Sequence, residues 1–204
     1  MTFPTKALFL GFELLFMFQI TGIYGILTQA NNFILKVLPN LAQYTGLVIC
    51  AAQFVSTFIT LFILVSFGTK GLILFGNLSL GILDIMLGIF SIFEDSWSSS
   101  LVFALLILYV FIFGFSLGPA IWIYVPQIMP SRLVPLATMM KWIAATLSTI
   151  IMGVVLTVNN GNAYPAFFGF GGITLILFLV NFFLMVETKG LSAHEVANLF
   201  KKKN

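Results

Sequence analysis

The chain has 204 residues, of which 60% are hydrophobic and only 7% are charged. Soluble proteins carry roughly 25% charged residues, so this composition excludes a soluble globular domain and indicates an integral membrane protein. The formal net charge of +3 reflects an uneven placement of basic residues and does not indicate a nucleic-acid partner. Only Cys50 and His194 could supply thiolate or imidazole ligands, so we predict no disulfide, no metal site and no cofactor.

Windows of about 20 apolar residues predict six transmembrane helices. They cover residues 7–29, 43–67, 71–93, 99–125, 134–158 and 164–186. We assign residues 1–190 to this transmembrane bundle and residues 191–204 to a cytosolic tail. In the tail, Leu191, Val196 and Leu199-Phe200 predict a short amphipathic helix at the membrane surface.

The basic residues predict the orientation of the chain in the membrane. With six spans both ends lie on one side, and that side carries nearly all of the positive charge. The opposite side carries only Lys36, together with Glu94 and Asp95. The positive-inside rule therefore predicts that both termini are cytosolic. The basic residues on the predicted cytosolic side are Lys6, Lys70, Arg132, Lys189, Lys201, Lys202 and Lys203.

The stretch from Gly118 to Arg132 begins inside the fourth apolar run and ends in a polar loop. Pro119 lacks a backbone N–H and crowds the preceding turn, which predicts a bend at Gly118-Pro119. Irregular backbone inside a bilayer is tolerated only beside protein or a water-filled cavity. Trp122 follows within one turn, so the segment is either a packing kink or part of a transporter's solute site.

A second interrupted segment occurs at a matching place in the chain. The first helix contains Gln19-Ile-Thr-Gly-Ile-Tyr-Gly25, and the fourth contains Gly114-Phe-Ser-Leu-Gly-Pro119. These are the first helices of two successive triples. Glycine-interrupted helices at matching positions of two repeats indicate a transport site, although glycine is also common where membrane helices touch.

At these motifs the chain resembles the C-terminal half of a sugar porter of the major facilitator superfamily, and the resemblance covers nearly the whole chain. Gln19-Ile-Thr-Gly-Ile23 is similar to the family's Gln-Gln-x-Ser/Thr-Gly-Ile-Asn. Gly118-Pro-Ala-Ile-Trp122 and Gln127-Ile-Met-Pro-Ser-Arg132 resemble Gly-Pro-x-x-Trp followed by Glu-Ile-x-Pro-x-Arg. Lys141-Trp142 resembles Asn-Trp, and Glu187-Thr-Lys-Gly190 resembles the tail motif Pro-Glu-Thr-Lys-Gly.

The resemblance implies a fold and a function. The fold is helices seven to twelve of a twelve-helix bundle, built as two three-helix inverted repeats. The function is transport of a sugar or a similar small polar solute by alternating access, without covalent chemistry, so we do not predict an enzyme. The partners are then the solute, the lipid bilayer and a second six-helix half, which is a missing N-terminal half, another protein or a second copy. The alternative is a non-transporting half-transporter that serves as a structural or accessory membrane subunit.

The resemblance also implies site residues. The predicted solute-binding residues are Gln19, Tyr24, Gln53, Trp122, Lys141 and Trp142. The predicted hinge residues are Gly22, Gly118 and Pro119, and the cytosolic motif comprises Arg132, Glu187, Lys189 and Gly190. From residue chemistry alone, Gln19 and Gln53 could instead be hydrogen-bonding contacts between helices.

The sequence departs from the family pattern at several of these places. Phe18 replaces the first glutamine of the pair, and Tyr24 and Lys141 stand where the family has asparagine. The acidic residue before Ile128 is Gln127. These departures predict either a different substrate or a weakened transport function.

Three residues that are ordinarily charged fall inside the predicted spans, where a charge is costly and needs a partner or water. Lys141 and Glu13 lie at similar depth, and Asp84 lies deeper. Either Glu13 and Lys141 pair across the cavity, or each is satisfied locally.

Overall fold

The computed structural model describes residues 4–37, 39–93 and 96–202, and all of its regular structure across these ranges is helical. Glu94, Asp95 and Lys203, which contribute to the charge argument, lie outside the described residues. The helices are α1 (Thr5–Ile20), α2 (Ile23–Val37), α3 (Pro39–Ala42), α4 (Thr45–Ser66), α5 (Thr69–Phe90), α6 (Ser96–Phe115), α7 (Leu117–Ile128), α8 (Val134–Val158), α9 (Tyr164–Leu184) and α10 (Ala193–Lys202).

Six apolar helical segments within the described part of the chain are long enough to cross a membrane. The protein is therefore a multi-pass integral membrane protein, as the composition predicts. The first segment comprises α1 and α2, and the fourth comprises α6 and α7, so each of these two spans is interrupted. The segments are Thr5–Asn32, Thr45–Ile63, Thr69–Phe90, Trp97–Ile128, Val134–Val158 and Tyr164–Leu184.

The packing of the spans has the pattern of two intertwined repeats. The first span of the first triple, α1 and α2, packs against the second span of the other triple, α8. Reciprocally, α6 of the second triple packs against α4 of the first. The third spans, α5 and α9, pack on each other more extensively than any other pair. This exchange of partners is what a pair of inverted three-helix repeats produces.

The first interruption is a single turn at Thr21 and Gly22. Gly22 has φ +90°, a left-handed conformation that side chains with a Cβ rarely adopt, so α1 ends here. The N–H of Gly22 donates to the carbonyl of Gln19 at 3.1 Å. The hydroxyl of the buried Tyr109 donates to the carbonyl of Thr21 at 2.6 Å, which gives the loosened backbone a partner from α6.

The second interruption lies at Ser116, three residues before the proline at which the sequence predicts a bend. The backbone of Ser116 has φ −110° and ψ −89°, and α7 begins at Leu117. Pro119 therefore lies in the first turn of α7, where the backbone N–H would have no partner within the helix. The break falls in the turn before Pro119, as the sequence predicts, because proline can neither donate to the carbonyl of Phe115 nor avoid crowding it. Pro126, inside α7, likewise leaves the carbonyl of Trp122 without its usual helical donor.

Glycines allow α5 and α9 to approach closely. A Cβ built on Gly81 would lie 2.8 Å from the side chain of Leu175, and one on Gly88 would lie 2.9 Å from Phe168. From the other helix, a Cβ on Gly171 would lie 3.0 Å from Cβ of Asp84. Small residues of this kind let membrane helices gain dispersion contacts that lipid cannot replace.

The short helix α10 packs beneath the bundle against α1 and α7. Its apolar residues Val196, Ala197 and Phe200 are buried there, whereas Leu191 and Leu199 are exposed. The predicted amphipathic tail helix thus has one face covered by the protein itself.

Candidate functional site

A cluster of aromatic rings surrounds the ammonium group of Lys141 between the two interrupted spans. The Nζ atom lies 4.3 Å from the ring centroid of Trp142, 5.1 Å from that of Trp122 and 5.4 Å from that of Phe18. These distances are typical of cation–π contacts, in which a cation is attracted to the negative face of a ring. We call Phe18, Trp122, Lys141 and Trp142 the aromatic cage. The ring of Tyr24 contacts Trp142 edge-on, with centroids 6.1 Å apart.

Three spans contribute to the aromatic cage. Phe18 comes from α1, three residues before the break, and Trp122 comes from α7, six residues after the second break. Lys141 and Trp142 come from α8, which packs along α1. The ring of Phe18 also contacts Trp122, with centroids 6.1 Å apart, so the two interrupted spans meet at this point.

The cage is only partly enclosed by the protein. Trp122 is 40% exposed and Trp142 is 52% exposed, whereas Phe18 is buried. Lys141 as a whole residue is half-buried. A solute that reaches the exposed parts of the cage would meet two indole rings and a cation.

The structure brings four of the six predicted solute-binding residues together, namely Tyr24, Trp122, Lys141 and Trp142. Gln19 is adjacent in sequence to Phe18, and its side chain is buried with an Oε1 atom that has no hydrogen-bond partner among the described residues.

Gln53 lies on α4 and is half-exposed. Within the described part of the chain, no hydrogen bond or ring contact joins its side chain to the cage.

Phe18 and Tyr109 are functional candidates that the sequence argument missed. Phe18 stands at a position where the resemblance expects an amide. The sequence therefore indicates the loss of a sugar-binding amide there and not a ring that contacts Lys141. Tyr109 lies in an unbroken apolar run, and nothing in its spacing indicates that its hydroxyl reaches the carbonyl of Thr21.

The two acidic residues of the membrane interior lie away from the cage. Glu13 accepts a long hydrogen bond of 3.4 Å from the side-chain amide of Asn181 on α9. Asp84 is fully buried at the contact of α5 with α9, and its carboxyl oxygens have no hydrogen-bond partner among the described residues. Glu13 and Lys141 thus form no ion pair, and the alternative in which they pair across the cavity is wrong for this structure.

Three residues of the predicted cytosolic motif, Glu187, Lys189 and Gly190, lie in a compact turn after α9. The Oε1 atom of Glu187 accepts hydrogen bonds from the N–H groups of Thr188 and Lys189 at 2.9 and 3.0 Å. Gly190 follows with φ +76°, a conformation that favours glycine. Arg132 is exposed in the α7–α8 loop.

Two side chains anchor this turn to the spans. The hydroxyl of Tyr124 donates to the carbonyl of Val186 at 2.9 Å. The ammonium of Lys70, at the start of α5, donates to the carbonyl of Met185 at 2.9 Å. The tail motif is therefore fixed to α5 and α7, and α7 is the span that carries Trp122.

Comparison with known proteins gives a match over nearly the whole chain. The profile of the family described as "Sugar (and other) transporter" matches residues 2–200. The "Putative metabolite transport protein YwtG" of Bacillus subtilis (strain 168) is 29% identical over 208 residues, covering 97% of this chain and 45% of the relative.

Two further relatives are named as sugar transporters. "Hexose transporter 1" of Plasmodium falciparum (isolate 3D7) is 27% identical over 84% of this chain and 35% of its own length. "Glucose transporter GlcP" of Staphylococcus epidermidis is 24% identical over 87% of this chain and 41% of its own length. The chain thus spans less than half of each of these three relatives, none of which is named as an enzyme or an accessory subunit.

Proposed function

This chain belongs to the sugar (and other) transporter family, which confirms the resemblance, and we propose that it forms one six-helix half of a carrier for a sugar or similar small polar solute. The observation that carries the proposal is the meeting of the two interrupted spans at the aromatic cage. Interrupted helices that converge near the middle of a membrane are the places where secondary transporters bind their solutes.

The chemistry of the cage suits such a solute. Indole rings present flat apolar faces to the C–H faces of a sugar ring, while a few polar groups fix its orientation. Gln19, Tyr24 and Gln53 are the amide and phenol groups that we propose for the hydroxyls. The buried Oε1 of Gln19, which has no hydrogen-bond partner within the described residues, is an acceptor that a hydroxyl could satisfy.

We propose that the two interruptions act as hinges during alternating access. Gly22 allows α1 and α2 to change their relative direction, and Ser116 with Gly118 and Pro119 allows the same between α6 and α7. Hinges of this kind are a few element-terminal residues that absorb backbone changes while the helices stay rigid.

A second six-helix half is the partner that we propose. The cage is only partly enclosed, and α4 is the least buried of the six spans within the described residues, with Leu47, Phe54 and Phe62 exposed. The relatives are also more than twice as long as this chain. A second half would cover these surfaces and close the solute site between the two halves.

Removing a ring from the cage should weaken solute binding. Truncating an aromatic side chain that anchors a bound ligand costs about 2 kcal/mol, which corresponds to about 30-fold in affinity. We therefore expect Trp142→Ala to weaken the binding of labelled glucose to the purified protein in liposomes by about this factor, and Gln19→Ala to weaken it less. The measurement is a scintillation proximity assay, with vesicle uptake recorded in parallel.

Trp97→Ala is the matched control, because Trp97 is 67% exposed at the start of α6, where it contacts Phe90 rather than the cage. Binding without uptake by this chain alone would support the need for a second half. Equal glucose binding by the wild type, Trp142→Ala and Trp97→Ala would contradict a solute site at the cage.

We propose that both ends of the chain face the cytosol, as the distribution of basic residues predicts. In a Cys50→Ala background, Leu191→Cys should react with a membrane-impermeant maleimide only after right-side-out vesicles are permeabilised. Asn160→Cys, in the exposed loop between α8 and α9, should react before permeabilisation. The reverse labelling pattern would overturn the orientation.

A further inference from the structure

We infer that the solute is an acidic sugar, and that the ammonium group of Lys141 binds its carboxylate. This inference rests on the proposed function, since it names the class of solute that the aromatic cage selects. Lys141 is the only charged residue of the aromatic cage and gives it a single positive charge. The described acidic residues of the membrane interior, Glu13 and Asp84, make their contacts elsewhere.

The ammonium group of Lys141 is attracted to three aromatic rings, but among the described residues it has no hydrogen-bond acceptor. An ammonium carries three N–H donors. Its recorded contacts are the faces of Phe18, Trp122 and Trp142, and among the described residues no carboxylate, carbonyl or hydroxyl oxygen accepts from it. Rings hold a cation without filling its donor positions, so Lys141 keeps donors for a ligand atom.

The exposed indole rings lie close to these donors. Trp122 and Trp142 are both partly exposed, and the Nζ atom lies 5.1 and 4.3 Å from their ring centroids. A ligand whose ring lies on an indole face can therefore place a substituent against the ammonium. A hexose has only neutral hydroxyls to offer, whereas a hexuronate offers a carboxylate on the same ring.

The charge count favours a carboxylate over a phosphate. One ammonium balances one carboxylate, whereas a phosphate monoester carries close to two negative charges at neutral pH. Bidentate recognition of phosphate is also better served by arginine, and the cage contains none. The replacement of amides by Phe18 and Lys141 thus changes a site for neutral polyols into one that prefers a monoanion.

The test compares D-glucuronate with two neutral sugars, D-glucuronamide, in which an amide replaces the carboxylate, and D-glucose. The three sugars are titrated into the purified chain in lipid nanodiscs, and binding is followed by tryptophan fluorescence. We expect glucuronate to bind about tenfold more tightly than glucuronamide. Lys141→Met should remove that preference, Lys141→Arg should keep most of it, and Lys6→Met should leave it unchanged as a control for lysine removal. Circular dichroism of each variant verifies that it is folded.

Three results would overturn the inference, and they separate it from the proposed function. Equal binding of glucuronate, glucuronamide and glucose would leave a sugar site in place but remove its preference for acids. A preference for glucuronate that persists in Lys141→Met would mean that a group other than Lys141 binds the carboxylate. Absence of saturable binding for all three sugars would contradict the solute site itself, and the inference with it.

Discussion

Gly22→Ala is expected to destabilise the protein by about 2–5 kcal/mol. Two costs combine at this position. Its φ of +90° is left-handed, which costs a residue with a Cβ about 1–2 kcal/mol. The added methyl group would also lie 2.5 Å from Cδ2 of Phe170, whose ring is buried and enclosed by its neighbours. Overpacking of this kind costs about 1–3 kcal/mol. The free energy of unfolding, measured by SDS titration in mixed micelles, checks the expectation.

Gly190→Ala separates the two costs. Gly190 has a similar left-handed φ of +76°, but no atom lies within 4 Å of a Cβ built there. It should therefore lose only the conformational term. If Gly22→Ala lost no more stability than Gly190→Ala, the ring of Phe170 would be free to move, and the packing of α9 against the first interruption would be looser than the structure indicates.

The fold could be predicted from the sequence because hydropathy reports span length directly. A bilayer requires about 20 apolar residues per helix, and the polar corners between runs are sharp. The predicted fifth span, residues 134–158, coincides with α8 (Val134–Val158). Hydropathy alone could not predict the interruptions of the first and fourth apolar runs, because it does not change at Thr21-Gly22 or at Ser116.

The exact place of an interruption depends on tertiary contacts. Gly22 can end α1 because Tyr109 supplies a donor to the exposed carbonyl of Thr21, and that donor comes from another span. The break at Ser116 has a local signal in Pro119, whose missing N–H leaves the carbonyl of Phe115 without its helical donor.

The candidate site was predicted in part. The resemblance placed Trp122 on one helix and Lys141 with Trp142 on another, and the structure joins them at one point. It could not reveal that the ammonium would be enclosed by rings, because Phe18 was expected to be an amide. A pairing of Lys141 with Glu13 was consistent with their similar depth along the helices. In the structure Glu13 accepts a hydrogen bond from Asn181, whereas the ammonium of Lys141 lies over the ring of Phe18.

Gly171→Leu is expected to destabilise the protein by about 3 kcal/mol or more, at the upper end of overpacking effects. A Cβ at this position would lie 3.1 Å from the backbone carbonyl of Gly81 and 3.0 Å from Cβ of Asp84. Neither atom can move without shifting α5, so a larger side chain must separate α5 from α9. This is the most extensive contact between spans, and its loss would remove dispersion contacts that lipid does not restore.

Gly172→Leu is the matched control for this prediction, because it changes the adjacent residue of the same helix. No atom lies within 4 Å of a Cβ built on Gly172. Both substitutions gain the same helix propensity, about 0.5–1 kcal/mol over glycine, so the difference between them isolates packing. We expect Gly172→Leu to be neutral or stabilising in the SDS titration. Equal stability of the two variants would mean that α5 and α9 need no close approach, and the pairing of the third spans would then not hold the two repeats together.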